Sequence, residues 1–474
     1  MINQLKFRQC HFFSYDGDEF LFNADLLRLY KVDVLKDKIM DLYNKHGYEN
    51  PFVPHGDDEI WDELIEAGIV HDCQKAPEPQ KNKEHEKTDI KPQEHVLTNV
   101  VLQIANDCNL HCKYCYGDGG SYGRQRELMT FETAKKGIDY LLSHSGNLKE
   151  ILITFFGGEP LLNFELIKEV IAYCSEQEKI SGKKFRYCMT TNGTIVNDEI
   201  LEYIKKYKIS TMLSMDGGKE IQDCYRCYEN GTGSFEIIKD NIEKFKEARG
   251  GYLSARATVC KPNMNLVEIR NDLLNLGFTN VIMSNVDTRK DSPLYIGKEE
   301  REEYIKNFKK LADVLIKEAK NGKGLKNIFI SETLKSLYFK VIRIKSCSAG
   351  ISGFAIGSDG NIYPCHRFMG MPDYVVGNVD KGIDFSFIEL YSHANVNEKE
   401  ACKTCWAKYI CGGGCLHTCV AQGGSPMDVP ECYCDTYRDM YEVVLYIYYV
   451  LKTWDENYFR NLLEKSVETS TTLK

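Results

Sequence analysis

From Val96 to about Leu325 the chain repeats one pattern six times: a short β-rich run, then a stretch with apolar residues at helical spacing. The runs are Asn99–Ala105, Glu150–Phe156, Phe185–Thr190, Ser210–Ser214, Tyr252–Val259 and Asn280–Asn285. Strands joined through helices cross over right-handedly, so the runs are expected to lie parallel in one sheet with the helices outside. This α/β alternation also says where a site belongs. In such sheets ligands collect beyond the carboxyl ends of the strands, so the residues after each run are the ones to read for chemistry.

The first run is followed by Cys108-Asn109-Leu110-His111-Cys112-Lys113-Tyr114-Cys115-Tyr116. A tetrahedral zinc would need a fourth ligand, and His95 and His111 are only loosely placed to give one. Three thiolates on an iron–sulfur cube instead leave one iron open to a small ligand. The second run ends in Phe156-Gly157-Gly158-Glu159-Pro160, where two glycines permit close backbone approach and a carboxylate can accept from an ammonium, or where a turn simply precedes the helix at Asn163. After the third run, Asn192 either bonds a ribose hydroxyl or shapes an Asn-Gly turn. Ser214-Met215-Asp216-Gly217 closes the fourth. On the fifth, Arg256 has period-two neighbours Ser254 and Thr258, which points it into the barrel to meet a carboxylate or to serve as a structural ion-pair partner.

The three-cysteine loop, with the aromatic Tyr114 before its last cysteine and these strand-end segments in order behind it, resembles the signature of the radical S-adenosylmethionine enzymes. The resemblance implies a partial (β/α)6 barrel over residues 96–325 and a [4Fe–4S] cluster on Cys108, Cys112 and Cys115. S-adenosylmethionine then fills the open iron, and one electron passed to its sulfonium releases a 5′-deoxyadenosyl radical, chemistry that belongs to the cofactor. Gly157, Gly158 and Glu159 match the motif that holds the methionyl amino group. Asn192, Ser214 and Asp216 stand where the family contacts ribose or carboxylate, and Tyr114 and Arg256 complete the implied cofactor site.

A second set of cysteines follows: Cys347, then Cys365 after Gly360, then Cys402, Cys405, Cys411, Cys415 and Cys434. By themselves they are metal ligands, for iron–sulfur clusters or structural zinc. Their spacing resembles the SPASM domain, which implies that residues 326–474 carry two auxiliary [4Fe–4S] clusters: an outer one on Cys402, Cys405, Cys411 and Cys434, and an inner one on Cys347, Cys365 and Cys415. One departure stands out. Residues 348–364 lack the further cysteine of members with a fully ligated inner cluster, so either that cluster has an open iron or Cys419 or Cys432 closes it, and Cys432 is also an alternative to Cys434. An open iron would hold a substrate thiolate beside a carbon radical. A closing helix is expected over Asp435–Lys465, with Tyr441, Val444, Leu445 and Tyr448 on one face. Cys224 and Cys227 form a CXXC without the strand-to-helix context of a redox motif, and Cys10, Cys174, Cys188 and Cys260 read as small buried hydrophobes.

At the other end, His11–Phe22 has aromatics on both sides of an Asp-Gly turn signal and reads as a hairpin, followed by helices over Val34–Lys45 and Asp57–Ala67. Residues 1–73 resemble the winged-helix-like recognition element of enzymes that modify ribosomal peptides, in which a leader adds as a strand. A small packing domain is the plain alternative. Residues 74–95 are a charged linker. A net charge of −9 argues against a general nucleic-acid binder, and the longest apolar run, Val443–Leu451, is too short to span a membrane. Nothing at Met1-Ile2-Asn3-Gln4 resembles a secretory signal, so the nineteen cysteines are expected as reduced thiols in the cytoplasm.

The resemblance as a whole implies a SPASM peptide maturase of the sactipeptide and ranthipeptide kind, using S-adenosylmethionine and three [4Fe–4S] clusters to form thioethers. Its implied partners are a cysteine-containing precursor peptide with a leader and a flavodoxin- or ferredoxin-type reductant, with no nucleic acid or membrane. Rivals are carbon–carbon cross-linking, formylglycine formation in a sulfatase, against which the hairpin argues, and an electron-transfer module, which has no need of the strand-end loops.

Overall fold

A computed structural model describes residues 4–54, 58–74 and 96–470. Its first unit comprises β1 (Leu5–Phe7), β2 (Cys10–Tyr15), β3 (Asp18–Asn23), β4 (Arg28–Lys31), α1 (Lys36–His46), α2 (Asp58–Glu66) and β5 (Val70–Asp72). Asp16 and Gly17 both take positive φ (53° and 83°), which closes β2 onto β3 with Tyr15 opposite Asp18. The expected hairpin is enlarged: β4 adds to β3, giving a three-stranded sheet, while β1 and β5 pair separately. Helix α1 starts later than its apolar pattern because Asp33–Leu35 forms a 3-10 turn first. Phe7, Leu21, Ile39, Trp61, Leu64 and Val70 make this unit's own core. All of the expected linker except Gln74 lies outside the described residues.

The six runs are six parallel strands: β6 (Asn99–Ala105), β7 (Glu150–Gly157), β8 (Lys184–Thr191), β9 (Ser210–Ser214), β10 (Ser254–Val259) and β11 (Asn280–Asn285). Between them lie α3 (Phe131–His144), α4 (Phe164–Ser181), α5 (Asp198–Lys206), α6 (Lys219–Tyr225), α7 (Phe235–Ala248) and α8 (Leu266–Asn275), with α9 (Arg301–Lys320) and α10 (Ile328–Tyr338) after the last. Along β7, Ile151, Ile153 and Phe155 are buried while Leu152, Thr154 and Phe156 are half-buried. One face of each strand thus sits under helices and the other lines a concavity, the geometry of an open partial barrel.

The sheet does not stop where the alternation stops. Strand β12 (Gly353–Ile356) pairs parallel with β6, Gly353 opposite Asn99, and β13 (Asn361–Tyr363), β14 (Gly377–Asn378) and β15 (Gly382–Ile383) follow antiparallel, making ten strands in all. Barrel and cysteine-rich region therefore share one sheet. Beyond it come α11 (Phe385–His393), α12 (Glu400–Lys403), α13 (Lys408–Cys411), α14 (Leu416–Thr418), α15 (Glu431–Trp454) and α16 (Glu456–Ser470). The single closing helix expected from the sequence is corrected to these last two. The chain breaks at Asp455 (φ −160°), whose Oδ1 accepts from Tyr458 N at 2.8 Å and caps α16. Tyr441, Val444, Leu445 and Tyr448 are buried as expected. Arg301 of α9 grips α15 through Asp439, at 2.6 and 2.7 Å. No helix among the described residues is long and apolar enough to cross a membrane.

The first unit docks on this region by its sheet. The His11 ring stacks on Trp406 at 4.0 Å and its Nε2 lies 2.8 Å from Glu442, Tyr15 stacks on Tyr446 at 4.1 Å, and Gln9 Nε2 donates to the Thr404 carbonyl at 2.5 Å.

Candidate active site

The cysteine loop leaves β6 at Ala105 and is laid directly on the end of β7. Gly158 N donates to Ala105 O and Glu159 N to Asp107 O, each at 2.8 Å. A Cβ on Gly158 would collide with the Asp107 carbonyl, and one on Gly120 would come within 2.9 Å of Cys108 N. The close approach that these glycines permit is thus to the cysteine loop, where the sequence suggests a ligand. Glu159 is fully buried: Oε1 accepts from Leu161 N (3.0 Å) and Thr191 Oγ1 (2.7 Å), Oε2 from Asn192 N (2.7 Å). Burial pushes its carboxyl up, and its oxygens tie the ends of β7 and β8 together rather than standing free for an ammonium.

Asn192 is likewise turned toward the protein. Its Nδ2 donates to Asn109 Oδ1 at 2.8 Å and lies 3.7 Å from Cys108 Sγ, while its Oδ1 accepts from Thr194 N (2.9 Å) and Thr194 Oγ1 (2.7 Å). Across the loop, the Tyr114 hydroxyl donates to Asp216 Oδ2 and accepts from Arg226 Nη1 at 3.0 Å. Asp216 is fully buried, its carboxyl pushed up by burial, and its Oδ1 takes Thr258 N at 2.9 Å. Ser214 and Arg256 face one another in register on β9 and β10 and are half-buried on the concave side. Burial pushes the Arg256 guanidinium down, and Arg367 adds to the effect.

Sequence reasoning gives the segment Cys224–Cys227 no part in the site, yet it runs beside the loop: His111 N donates to Cys227 O at 2.7 Å and Lys113 N to Tyr225 O at 2.9 Å. Its legible signal is the pair of cysteines, not the arginine between them.

Cys108, Cys112 and Cys115 are free and half-buried. Burial pushes the Cys108 thiol up to about 12 and that of Cys112 to about 11, and each feels a neighbouring thiol of the trio while Arg226 pulls the other way. Among the described residues no three His, Cys, Asp or Glu side chains are grouped to hold a single metal ion. A donor set of three free thiols fits an iron–sulfur cube, which takes three thiolates and leaves a corner open.

The later cysteines fall into two groups. Cys402, Cys405, Cys411 and Cys434 line one small apolar cavity with Tyr437, Arg438 and Tyr441. Cys432 lines a different cavity, of about 220 Å³, together with Cys415, Asp287 and Arg367. Burial raises the thiols of Cys347 and Cys365, the latter to about 12, and both feel Cys415, so these three gather as well. Cys419 is buried with Lys399 Nζ 3.5 Å from its sulfur. Between this group and the first loop, Arg367 sits over the Tyr116 ring at 5.4 Å and pairs with Asp287, which also meets His417 Nδ1 at 2.8 Å. The His366 ring lies 4.4 Å from Phe156 and is pushed down to about 3 by burial and the arginines around it. Of the cysteines read as core, Cys10, Cys174 and Cys260 are buried, whereas Cys188 is half-buried.

Residues 102–276 match the radical SAM superfamily. The chain is 26% identical over 427 residues to the radical SAM cyclopropyl synthase TigE of Paramaledivibacter caminithermalis, covering 84% of each chain. It is 25% identical over 379 residues to a cysteine-type anaerobic sulfatase-maturating enzyme of Clostridium novyi, covering 75% of this chain and 98% of that one. Among solved structures, anSMEcpe with bound AdoMet superposes with a TM-score of 0.66 at 20% identity over 78% of this chain and 98% of that chain, a likeness of fold. Because the matched stretch holds β7 to β10 and carries the three free thiols at the carboxyl end of the sheet, this chain contains a radical SAM superfamily domain.

Proposed function

We propose that the chain joins cysteine sulfur to carbon in a ribosomally made peptide. The observation that supports this reading is the trio Cys347, Cys365 and Cys415, whose thiols feel one another and which Arg367, lying over the Tyr116 ring, joins to the radical loop. When bound, a cluster on Cys108, Cys112 and Cys115 would supply the electron that cleaves S-adenosylmethionine to a carbon radical. The residues around it have separable tasks. Arg256 with Ser214 offers polar groups on the concave face to a carboxylate. Asp216 and Arg226 pin Tyr114 by its hydroxyl, which fixes the ring beside the thiols. Phe156, Tyr116 and His366 form an aromatic wall between the cysteine groups, beside the Arg367–Asp287 pair. The four-cysteine cavity and the inner trio would hold the auxiliary clusters, the second of them with an iron free for a peptide thiolate.

Among the described residues β2 and β4 are the two edges of the three-stranded sheet, and β2 packs toward α15, which leaves β4 for the peptide leader. An extended leader would lie along β4 and gain backbone hydrogen bonds there. The reductant is of the flavodoxin or ferredoxin class. Co-expression with a cysteine-rich peptide encoded nearby, followed by mass spectrometry, tests the reading: each cross-link removes two hydrogens. Unaltered peptide mass alongside active cofactor cleavage overturns it. Formylglycine formation is the second reading, supported by the likeness to the Clostridium novyi enzyme. It exchanges sulfur for oxygen in one cysteine and leaves no link between residues, so the same spectrum separates the two.

A further inference from the structure

Arg226 has no place in the cofactor set read from the sequence, yet the backbone holds it against the radical loop. The two bonds His111 N to Cys227 O and Lys113 N to Tyr225 O run between antiparallel segments and set residue 226 opposite residue 112. Both bonds are donated by the cysteine loop, so the main chain of residues 225–227 lies against that of residues 111–113. The main chain therefore holds Arg226 alongside Cys112. Its Nη1 takes the Tyr114 hydroxyl at 3.0 Å, where a carboxylate would be the ordinary partner of a buried guanidinium. Its Nε is shut from solvent and finds no partner. Asp216, the nearest acidic neighbour through Tyr114, has its oxygens taken by the Thr258 amide and the Tyr114 hydroxyl. A guanidinium left with idle donors in such a place is costly unless negative charge faces it.

We propose that Arg226 is the counter-charge of the cluster held by Cys108, Cys112 and Cys115, a positioning residue that favours the reduced state. A fixed cation beside a thiolate stabilises the form carrying more negative charge, and reduction adds one electron to a site that already bears three thiolates. Arginine suits the task because its charge does not titrate and its Nη1 is anchored on the Tyr114 hydroxyl. The inference rests on the radical SAM domain and is independent of the peptide reaction proposed above.

The test uses the full chain, reconstituted anaerobically, in wild-type, Arg226→Gln and Arg226→Lys forms, with the reduced fraction followed by electron paramagnetic resonance at graded potentials. The signal of this cluster is told from those of the auxiliary clusters by its change on adding S-adenosylmethionine. For Arg226→Gln the ratio of reduced to oxidised cluster at a fixed potential is expected to fall by about fivefold or more. A smaller fall at wild-type iron content overturns the proposal. Should Arg226→Gln fail to take up iron, Arg226→Lys decides: a ratio within about fivefold of wild type supports the counter-charge, and a larger fall overturns it.

Discussion

At the scale of single residues, the loop that matters most is held by what is missing. Gly158 has no side chain because the Asp107 carbonyl and Gly120 occupy the space a Cβ would need. Gly158→Ala is expected to displace the cysteine loop at a cost of about 1–3 kcal/mol and to lower the iron retained there. Gly182, at the end of α4 with φ 71° and open space within 4 Å of where a Cβ would stand, is the control. Gly182→Ala should cost about 1–2 kcal/mol through the left-handed backbone alone and leave iron per chain unchanged. Lys340 gives a different signature. Its Nζ donates to Leu27 O at 2.7 Å, joining α10's end to the first unit, and burial pushes its ammonium down to about 8. Between about pH 8 and the ordinary lysine value near 10.4 the unfolded chain binds the extra proton, so stability rises with pH across that window by at most about 1.4 kcal/mol per unit. Denaturant titrations from pH 8 to 10 should show the rise, and Lys340→Met should flatten it.

Among the elements, β2 is where sequence and structure part. Its aromatic run reads as one strand of a hairpin, and the Asp16-Gly17 turn is legible because both residues must take positive φ. What it packs against is not legible. His11 and Phe22 close on Trp406, which follows Cys405 directly, so the first unit forms part of the wall beside the outer cysteine cavity. Trp406→Ala should remove about 2–3 kcal/mol of packing between the two, less than a fully buried indole because Trp406 is half-buried. Hydrogen exchange would then quicken in β2 and β3 while β6 to β10 stay protected; equal protection of both sheets would refute the coupling. Strand β12 is illegible in the sequence for a physical reason. Four residues, Gly353 to Ile356, are too few to show a period, and their strand character comes from the ladder offered by β6. The break at Asp455 is hidden for another: apolar spacing runs through it, and only the capping geometry of α16 shows that the helix ends.

For the molecule as a whole, the prediction concerns which cysteines act together. Cys434 shares a cavity with Cys402, Cys405 and Cys411, whereas Cys432, two residues earlier on the same helix, faces Cys415 across another. Two residues along a helix turn a side chain by more than half a circle, so neighbours in sequence serve different cavities. Cys434→Ala is expected to lower iron by about four per chain while S-adenosylmethionine cleavage persists, and Cys432→Ala to leave the outer group's iron in place. Elemental analysis of the two variants, with deoxyadenosine as the activity readout, checks both. The sequence by itself determined the parallel sheet, the side of it that bears the chemistry and the thiol loop, because periodicity and cysteine spacing are local properties that survive without tertiary context. Only the folded chain decided that Glu159 and Asn192 brace the loop, that Arg226 lies alongside Cys112, and which of two nearby cysteines lines which cavity. Those outcomes depend on distances between residues far apart in the chain, and a hydrogen-bonding side chain bears no mark in the sequence of whether protein or ligand will claim it.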